Sequence, residues 1–440
     1  MLNSPLVSLA SAAAISFFAA QISAQQLNEG FQGSVSALPA GTGNVLTLTS
    51  GTVYFDGFHL TYAGNGASSA LSLLSFPSYT FGSFSAAIGS TEVLFGESSN
   101  GGIWKLSLNG GSAQQIGIVP FNYDAVMLDD DRALVSAKTG GFSAADNDLI
   151  FVDVLTGLTQ LVAQFDGASG PLAIDAAGDI YYATAPSTFP VPPGTVSVLR
   201  LNRALVDTAI ANNTVLGANQ AQVVITGLDA AGDLAFDDDG DLFYVDWMNG
   251  KIGEINDADG SSAFLASPLI DYAGSGLSSS VLQFQAAASG LQVFEPFQPA
   301  GGQLLVHETD YGTISQIQTV TARRPELTSS ANNPVPAGTF SLTTDRGPAN
   351  GLGLLAFVIA TPSGTVSAQV PGFEQPLLLD GALSGNLVLI PQTFDANGVS
   401  TIAISNPGFA TLLDTTVQTV CFSQTGALGT SQAMALQIGQ

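Results

Sequence analysis

The sequence predicts an all-β protein: a six-bladed β-propeller followed by a small β-sandwich. Three observations carry this. The stretch from Gly227 to Ala266 holds four short apolar runs separated by Asp238-Asp239-Gly240, Met248-Asn249-Gly250 and Asp259-Gly260. Asn-Gly and Asp-Gly pairs favour two-residue hairpin turns because both residues tolerate positive φ. Such a four-stranded sheet recurs along the chain, and after residue 322 the pattern changes to shorter, unevenly spaced strands. A lone sheet of four strands leaves both faces wet, so the repeats must stack on one another.

Taking the chain in order, residues 1–24 read as an export signal. An apolar stretch runs from Pro5 to Ala20, and Ile22-Ser23-Ala24 offers a small-residue cleavage site before Gln25. The stretch lacks a basic flank and is too short to span a bilayer, so the expectation is a secreted or cell-surface protein with no transmembrane segment. Residues 25–322 read as the propeller. NVLTLTS is its first strand, and a strand closing the ring is expected either from residues 25–50 or from before Pro299. Gly170–Thr184 (GPLAIDAAGDIYYAT) repeats GDLAFDDDGDLFYVD almost position for position. Looser copies are Phe55–Gly64, Ala87–Ser98, Met127–Lys138 and Pro299–Thr309, which make Leu60, Leu94, Leu134, Ile180, Leu242 and Leu304 equivalent. Each copy is followed by a second hairpin opener, such as GGIWKLSL or GTISQI. Residues 267–292 read as one long interruption, a loop or short helix. No long helix is expected outside the signal segment. Arg323-Arg324-Pro325 and the polar stretch to Gly338 read as a linker, and residues 339–440 as the sandwich.

Composition narrows the function. Lys and Arg number 9 against 35 Asp and Glu, a net charge of −26, which repels nucleic acid and suits salty water or divalent cations. Cys421 is the only cysteine, so stability must come from burial and strand pairing.

The repeat G-x-x-A-F/I-D-x-x-G-D-L/I-x-Y, with N-G-K-I following in the fifth unit, resembles the NHL-type repeat of six-bladed propellers, whose superfamily includes the regucalcin and gluconolactonase enzymes. The run LVLIPQTFDANGVSTIAISNP resembles a hairpin of C-terminal modules in large secreted bacterial proteins, notably those of planctomycetes. The first resemblance implies the fold; it implies an activity only if a divalent metal sits at the channel mouth on carboxylates and amides from several blades.

Propeller geometry gathers the turns between second and third strands, together with the blade-to-blade connections, around one end of the channel. That predicts a funnel face with Asn65, Glu97, Asn100, Lys138, Asp146, Thr184, Asp246, Trp247, Asn249, His307, Glu308 and Asp310, and with Asp124, Asp166 and Asp229 from the connections. The ligand-binding candidates are Glu97, Asn100, Asp246, Trp247, Asn249, His307, Glu308 and Asp310. Asp246 and Glu308 are the metal candidates, with calcium or another divalent ion as the possible cofactor. Asp237-Asp238-Asp239-Gly240-Asp241 and Asp257-Ala258-Asp259-Gly260 resemble calcium loops, but Ala235 and Ile255 stand where an oxygen ligand is required. His59 and His307, the two histidines, lie in distant repeats and read as lone polar side chains. No G-x-S-x-G, H-E-x-x-H or phosphate loop is present. A propeller that binds a protein or polysaccharide without catalysis is therefore the first functional expectation. A metal-dependent lactonase of the regucalcin type is the second, although Glu29-Gly30 is followed by Phe31 rather than by the proline of that family's opening motif. A quinoprotein dehydrogenase is a distant third, since two tryptophans are few for its larger ring.

Overall fold

The structure is a computed structural model describing residues 26–27, 31–141, 145–236, 240–255, 263–264, 267–271, 278–285, 303–310, 312–322, 325–331, 334–359, 387–422, 428–431 and 434–439. The signal segment, Asp237 to Asp239, Asp257 to Gly260 and the Arg323-Arg324 pair lie outside the described residues.

Each repeat folds as an antiparallel meander. Blade 1 is Asn44–Leu48, Gly51–Phe55, His59–Gly64 and Leu71–Ser75; blade 2 is Gly82–Ile88, Glu92–Glu97, Gly102–Ser107 and Gln114–Ile118. Blade 3 is Asn122–Asp129, Arg132–Ala137, Asp146–Asp153 and Thr159–Asp166; blade 4 is Leu172–Ile174, Ile180–Thr184, Val196–Leu201 and Gln222–Leu228. Blade 5 is Leu234–Phe236, Leu242–Asp246, Lys251–Ile255 and Ser267–Asp271, with Gln26–Leu27 added at its outer edge. Blade 6 takes Ser278–Gln285, Gln303–Thr309 and Ser315–Ala322 from one end of the chain and Phe31–Ala37 from the other. Phe31 pairs with Ala322 and Ala37 with Gln316, so the closing strand comes from the N-terminal side. The first strands of successive blades touch one another from blade 1 round to blade 6 and back to blade 1. That closed circuit is a propeller.

The core is a set of blade-to-blade interfaces, because a flat sheet must bury both faces on its neighbours. Phe55, Leu60 and Phe95 join blades 1 and 2, while Ile103, Val135 and Val152 join blades 2 and 3. Leu149, Tyr182 and Leu201 join blades 3 and 4, Tyr181, Val198 and Leu242 join 4 and 5, and Val245, Leu304 and Val320 join 5 and 6. Around the channel, polar side chains stitch inner strands together. Gln283 bonds the Thr47 backbone, Ser85 donates to Asn44 at 2.6 Å, Ser83 donates to Asn122, and the Leu172 amide donates to Asp124 at 2.7 Å.

Several expectations are corrected. Leu60 and His59 belong to the third strand of blade 1, not the second, because Asn44–Leu48 and Gly51–Phe55 both precede them. The stretch 267–292 is no interruption: Ser267–Asp271 is the outer strand of blade 5 and Ser278–Gln285 the inner strand of blade 6. A helix, α1 (Arg203–Asn212), joins the last two strands of blade 4. The Asn202 side chain caps its start by accepting the Ala204 amide, Val206 and Ala209 are buried, and Asn213 ends it in the left-handed conformation. The expected linker 323–338 includes the strand Glu326–Ser329, which pairs with Gly338–Asp345. Its Leu327 is buried, so this segment belongs with the C-terminal sheets.

After the ring, Glu326–Ser329, Gly338–Asp345 and Ser400–Asn406 form one antiparallel sheet. Leu352–Ile359, Leu387–Thr393, Leu413–Phe422, Leu428–Thr430 and Met434–Ile438 form another. Leu327, Phe340 and Leu342 of the first share a core with Leu355, Val417 and Leu436 of the second. Ala263–Phe264, from the last turn of blade 5, pairs with Met434 and Ala435 and extends the second sheet.

Candidate functional site

Inner strands start at one end of the channel, so the blade-to-blade connections and the second-to-third strand turns share that end. There a cavity of about 1020 Å³ opens. Its wall is made by inner-strand residues, including Asn44, Leu46, Ser83, Ser85, Asn122, Asp124, Leu172, Leu234 and Gln283. Its rim is aromatic: Tyr79, Phe81, Phe121, Tyr123, Phe189 and Trp247 line it, and each is exposed. Phe189 is 82% exposed, an extreme that no packing role accounts for.

The rim rings are held in place. Trp247 lies on Gly232, where a Cβ would come within 2.9 Å of its ring, and it stacks with Phe189 at 6.2 Å and 5° between planes. Tyr79 meets Phe81 edge-on at 5.2 Å and Phe58 at 5.6 Å. The Tyr123 hydroxyl donates to the Gly232 carbonyl at 2.9 Å, tying blade 3 to the entry of blade 5. Phe121 follows Pro120 with φ of 50°, in the left-handed region that glycine and asparagine tolerate far better. Such a backbone costs about 1–3 kcal/mol. Here, in the turn that enters blade 3, it displays a ring that is 45% exposed and outside the core.

Most of the polar residues expected on the funnel face turn inward to hold their own loops. Glu97 is buried and accepts from the Thr80 hydroxyl at 2.8 Å and from the Asn100 and Gly102 amides at 3.0 Å each. Asp246, at the same position of blade 5, is also buried and accepts from the Asn249 amide at 3.0 Å and side chain at 2.7 Å. Asn249 reaches on to Asp229 at 3.0 Å. Glu308 is fully buried and accepts from Gln316 at 2.6 Å, and Asp310 is exposed and caps its turn through the Gly312 and Ile314 amides. Those amides hold the Asp310 carboxyl below its usual range. His307 is buried against Ser315 at 2.9 Å, and burial pushes its pKa down to about 4. For Glu97 and Asp246 the reason is geometric: the last residue of a second strand faces the free N–H groups of the turn it enters, so a carboxylate there is captured.

The remaining candidates divide. Asn65 bonds the Thr49 carbonyl at 2.9 Å in the third-to-fourth strand turn, which puts it at the opposite end of the channel. Asp56, Gly57 and Phe58 occupy the position expected of it. Asp146 and Asp166 are exposed partners on the outer strands of blade 3, and Thr184 bonds the Ser197 carbonyl at 3.4 Å. Lys138 and Asp124 do line the cavity; Lys138 donates to Ser187 at 3.2 Å. Asp124 accepts the Leu172 and Ala125 amides, and burial raises its pKa to about 6. Asp246 and Glu308 stay in separate hairpins, and among the described residues no three His, Cys, Asp or Glu side chains group as a metal site. The aromatic rim is what residue-by-residue reading missed, Trp247 excepted. Its signal lay in SFPSYTFG, PFNYD and STFPVPP, where rings crowd among Pro and Ser outside any alternating strand pattern.

No family model matches the chain, and none of the curated proteins is similar to it in sequence. Solved propellers are similar in architecture. Regucalcin from Agrobacterium tumefaciens strain C58 shares 13% identity with a TM-score of 0.47, covering 68% of this chain and 97% of its own. Virginiamycin B lyase from Staphylococcus aureus shares 9% at 0.41, covering 66% and 99%. A PQQ-bound aldose sugar dehydrogenase from Streptomyces coelicolor shares 11% at 0.44, covering 68% and 99%. At such distance none of them lends an activity or a site residue to this chain.

Proposed function

We propose that this chain is an exported, non-catalytic binding protein that takes a protein or polysaccharide ligand at the mouth of its propeller. One observation carries the reading: six aromatic side chains stand exposed around a single cavity. Water-facing rings on this scale mark an interaction site, since the same side chains would gain more by burial in a core. The Ser83 and Ser85 hydroxyls in the wall below them, each donating to an asparagine, keep acceptor lone pairs that can orient a bound group.

The test uses the two tryptophans. A Trp104→Phe variant leaves Trp247 as the one indole, whose emission then reports ligand entry. Soluble polysaccharides and peptides are titrated in turn, and a saturable shift, abolished by a further Phe189→Ala change, is the expected result. Binding seen by calorimetry with no change in Trp247 emission would move the site off the mouth. A hydrolase is the second reading, favoured by Asp124, whose carboxyl in the cavity wall is poised near pH 6 as a general base requires. Turnover of a lactone in the presence of calcium, lost in Asp124→Asn, would decide for it.

A further inference from the structure

The rim rings are not spread evenly. Tyr79 and Phe81 lie in the connection between blades 1 and 2. Phe189 and Trp247 lie in the second-to-third strand turns of blades 4 and 5. In a ring of six, blade 1 faces blade 4 and blade 2 faces blade 5, so the two pairs stand on opposite sides of the channel. Resting on the binding role above, we propose that the mouth is a cleft for a neutral polysaccharide, whose chain lies across the channel with one sugar on each aromatic platform.

Four features select this occupant. The cavity of about 1020 Å³ is concave, which suits a chain rather than the flat face of a folded protein. Rings offer broad, rigid apolar faces that match the C–H faces of pyranose rings, while the hydroxyls and amides of the wall match their edges. A net charge of −26, with Asp124 and Asp233 in the wall beside the single Lys138, opposes uronic or sulfated chains. Phe121, between the platforms, is displayed at the expense of backbone strain, as expected of a ring kept for a ligand.

The experiment is calorimetric titration of the intact protein with cello-, xylo-, manno- and chito-oligosaccharides of increasing length. Affinity should rise at least about tenfold once an oligomer reaches from one platform to the other, a step equal to one well-made contact. Trp247→Ala and Phe81→Ala should each erase that rise, leaving short oligomers nearly unaffected, while Leu155→Ala, an exposed residue in a turn at the other end of blade 3, should change nothing. Circular dichroism confirms that each variant is folded, and Trp247→Phe restores a platform where Ala removes it. Length-independent binding, or equal binding by both platform variants and the parent, overturns the proposal. If no sugar binds but a random peptide library yields binders lost in Trp247→Ala, the polysaccharide falls and the mouth stands. If those peptides bind Trp247→Ala as well as the parent, both fall.

Discussion

At the scale of single residues, buried ionisable groups set how this protein answers to pH. Burial beside the Ser315 hydroxyl pushes the His307 pKa from 6.5 down to about 4. A base with a lowered folded pKa favours its neutral form, so its contribution is complete above pH 6.5 and is lost as pH falls toward 4. The shift corresponds to roughly 3 kcal/mol. Asp124 acts with the opposite sign: its pKa is raised from 3.8 to about 6, so its contribution is present below 3.8 and lost as pH rises through 6. Between pH 4 and 6 the two oppose each other. Replacing His307→Gln leaves Asp124 unopposed, so stability at pH 4.5 relative to pH 7, read from urea midpoints, should rise above the parent's by about 2 kcal/mol in unfolding free energy. An unchanged pH difference would mean that His307 does not control acid sensitivity.

Among the elements, the one α-helix of the described residues shows how local signals work against a β background. Asn202 caps α1 at its start and also donates to Asp179 at 3.2 Å. Asp179 in turn accepts the Arg203 amide at 2.7 Å and pairs with Arg200 at 2.6 Å. Asn202→Ala removes the cap and one bond to this hub, so the expected loss is about 1–2 kcal/mol. Thermal unfolding would register it as a drop of a few degrees at most, since a chain of this size unfolds with a large entropy. Asn202→Asp preserves the cap acceptor but sets a carboxylate beside Asp179, and should recover only part of the loss.

For the whole molecule, closure of the ring is the decisive contact. Phe31–Ala37 pairs over its full length with Ser315–Ala322, so the two ends of the propeller hold each other. Removing residues 1–30 leaves that strand in place, whereas removing 1–38 strips blade 6 of its outer strand and opens an edge. The longer deletion should lower the melting temperature well beyond the shorter and promote aggregation, read by scanning calorimetry and light scattering. Equal behaviour of the two deletions would show that the ring is held by its blade interfaces alone.

The sequence by itself determined the hairpin repeat and the all-β class, because turn chemistry and two-residue alternation act over a few neighbours. Gly250 with φ of 64° and Gly178 with φ of 85° sit in the turns their sequence predicts. It left the closing strand open between residues 25–50 and the segment before Pro299, and the fold takes it from Phe31–Ala37. What it did not determine was which strand of blade 1 holds Leu60, since an apolar run is the same whether second or third. Nor did it determine where side chains point. Glu97, Asp246 and Glu308 look like ligands in sequence and are captured by their own loops or neighbours in the fold. The rim rings, widely separated along the chain, meet only when six blades close, because a circle brings together positions that no local spacing relates.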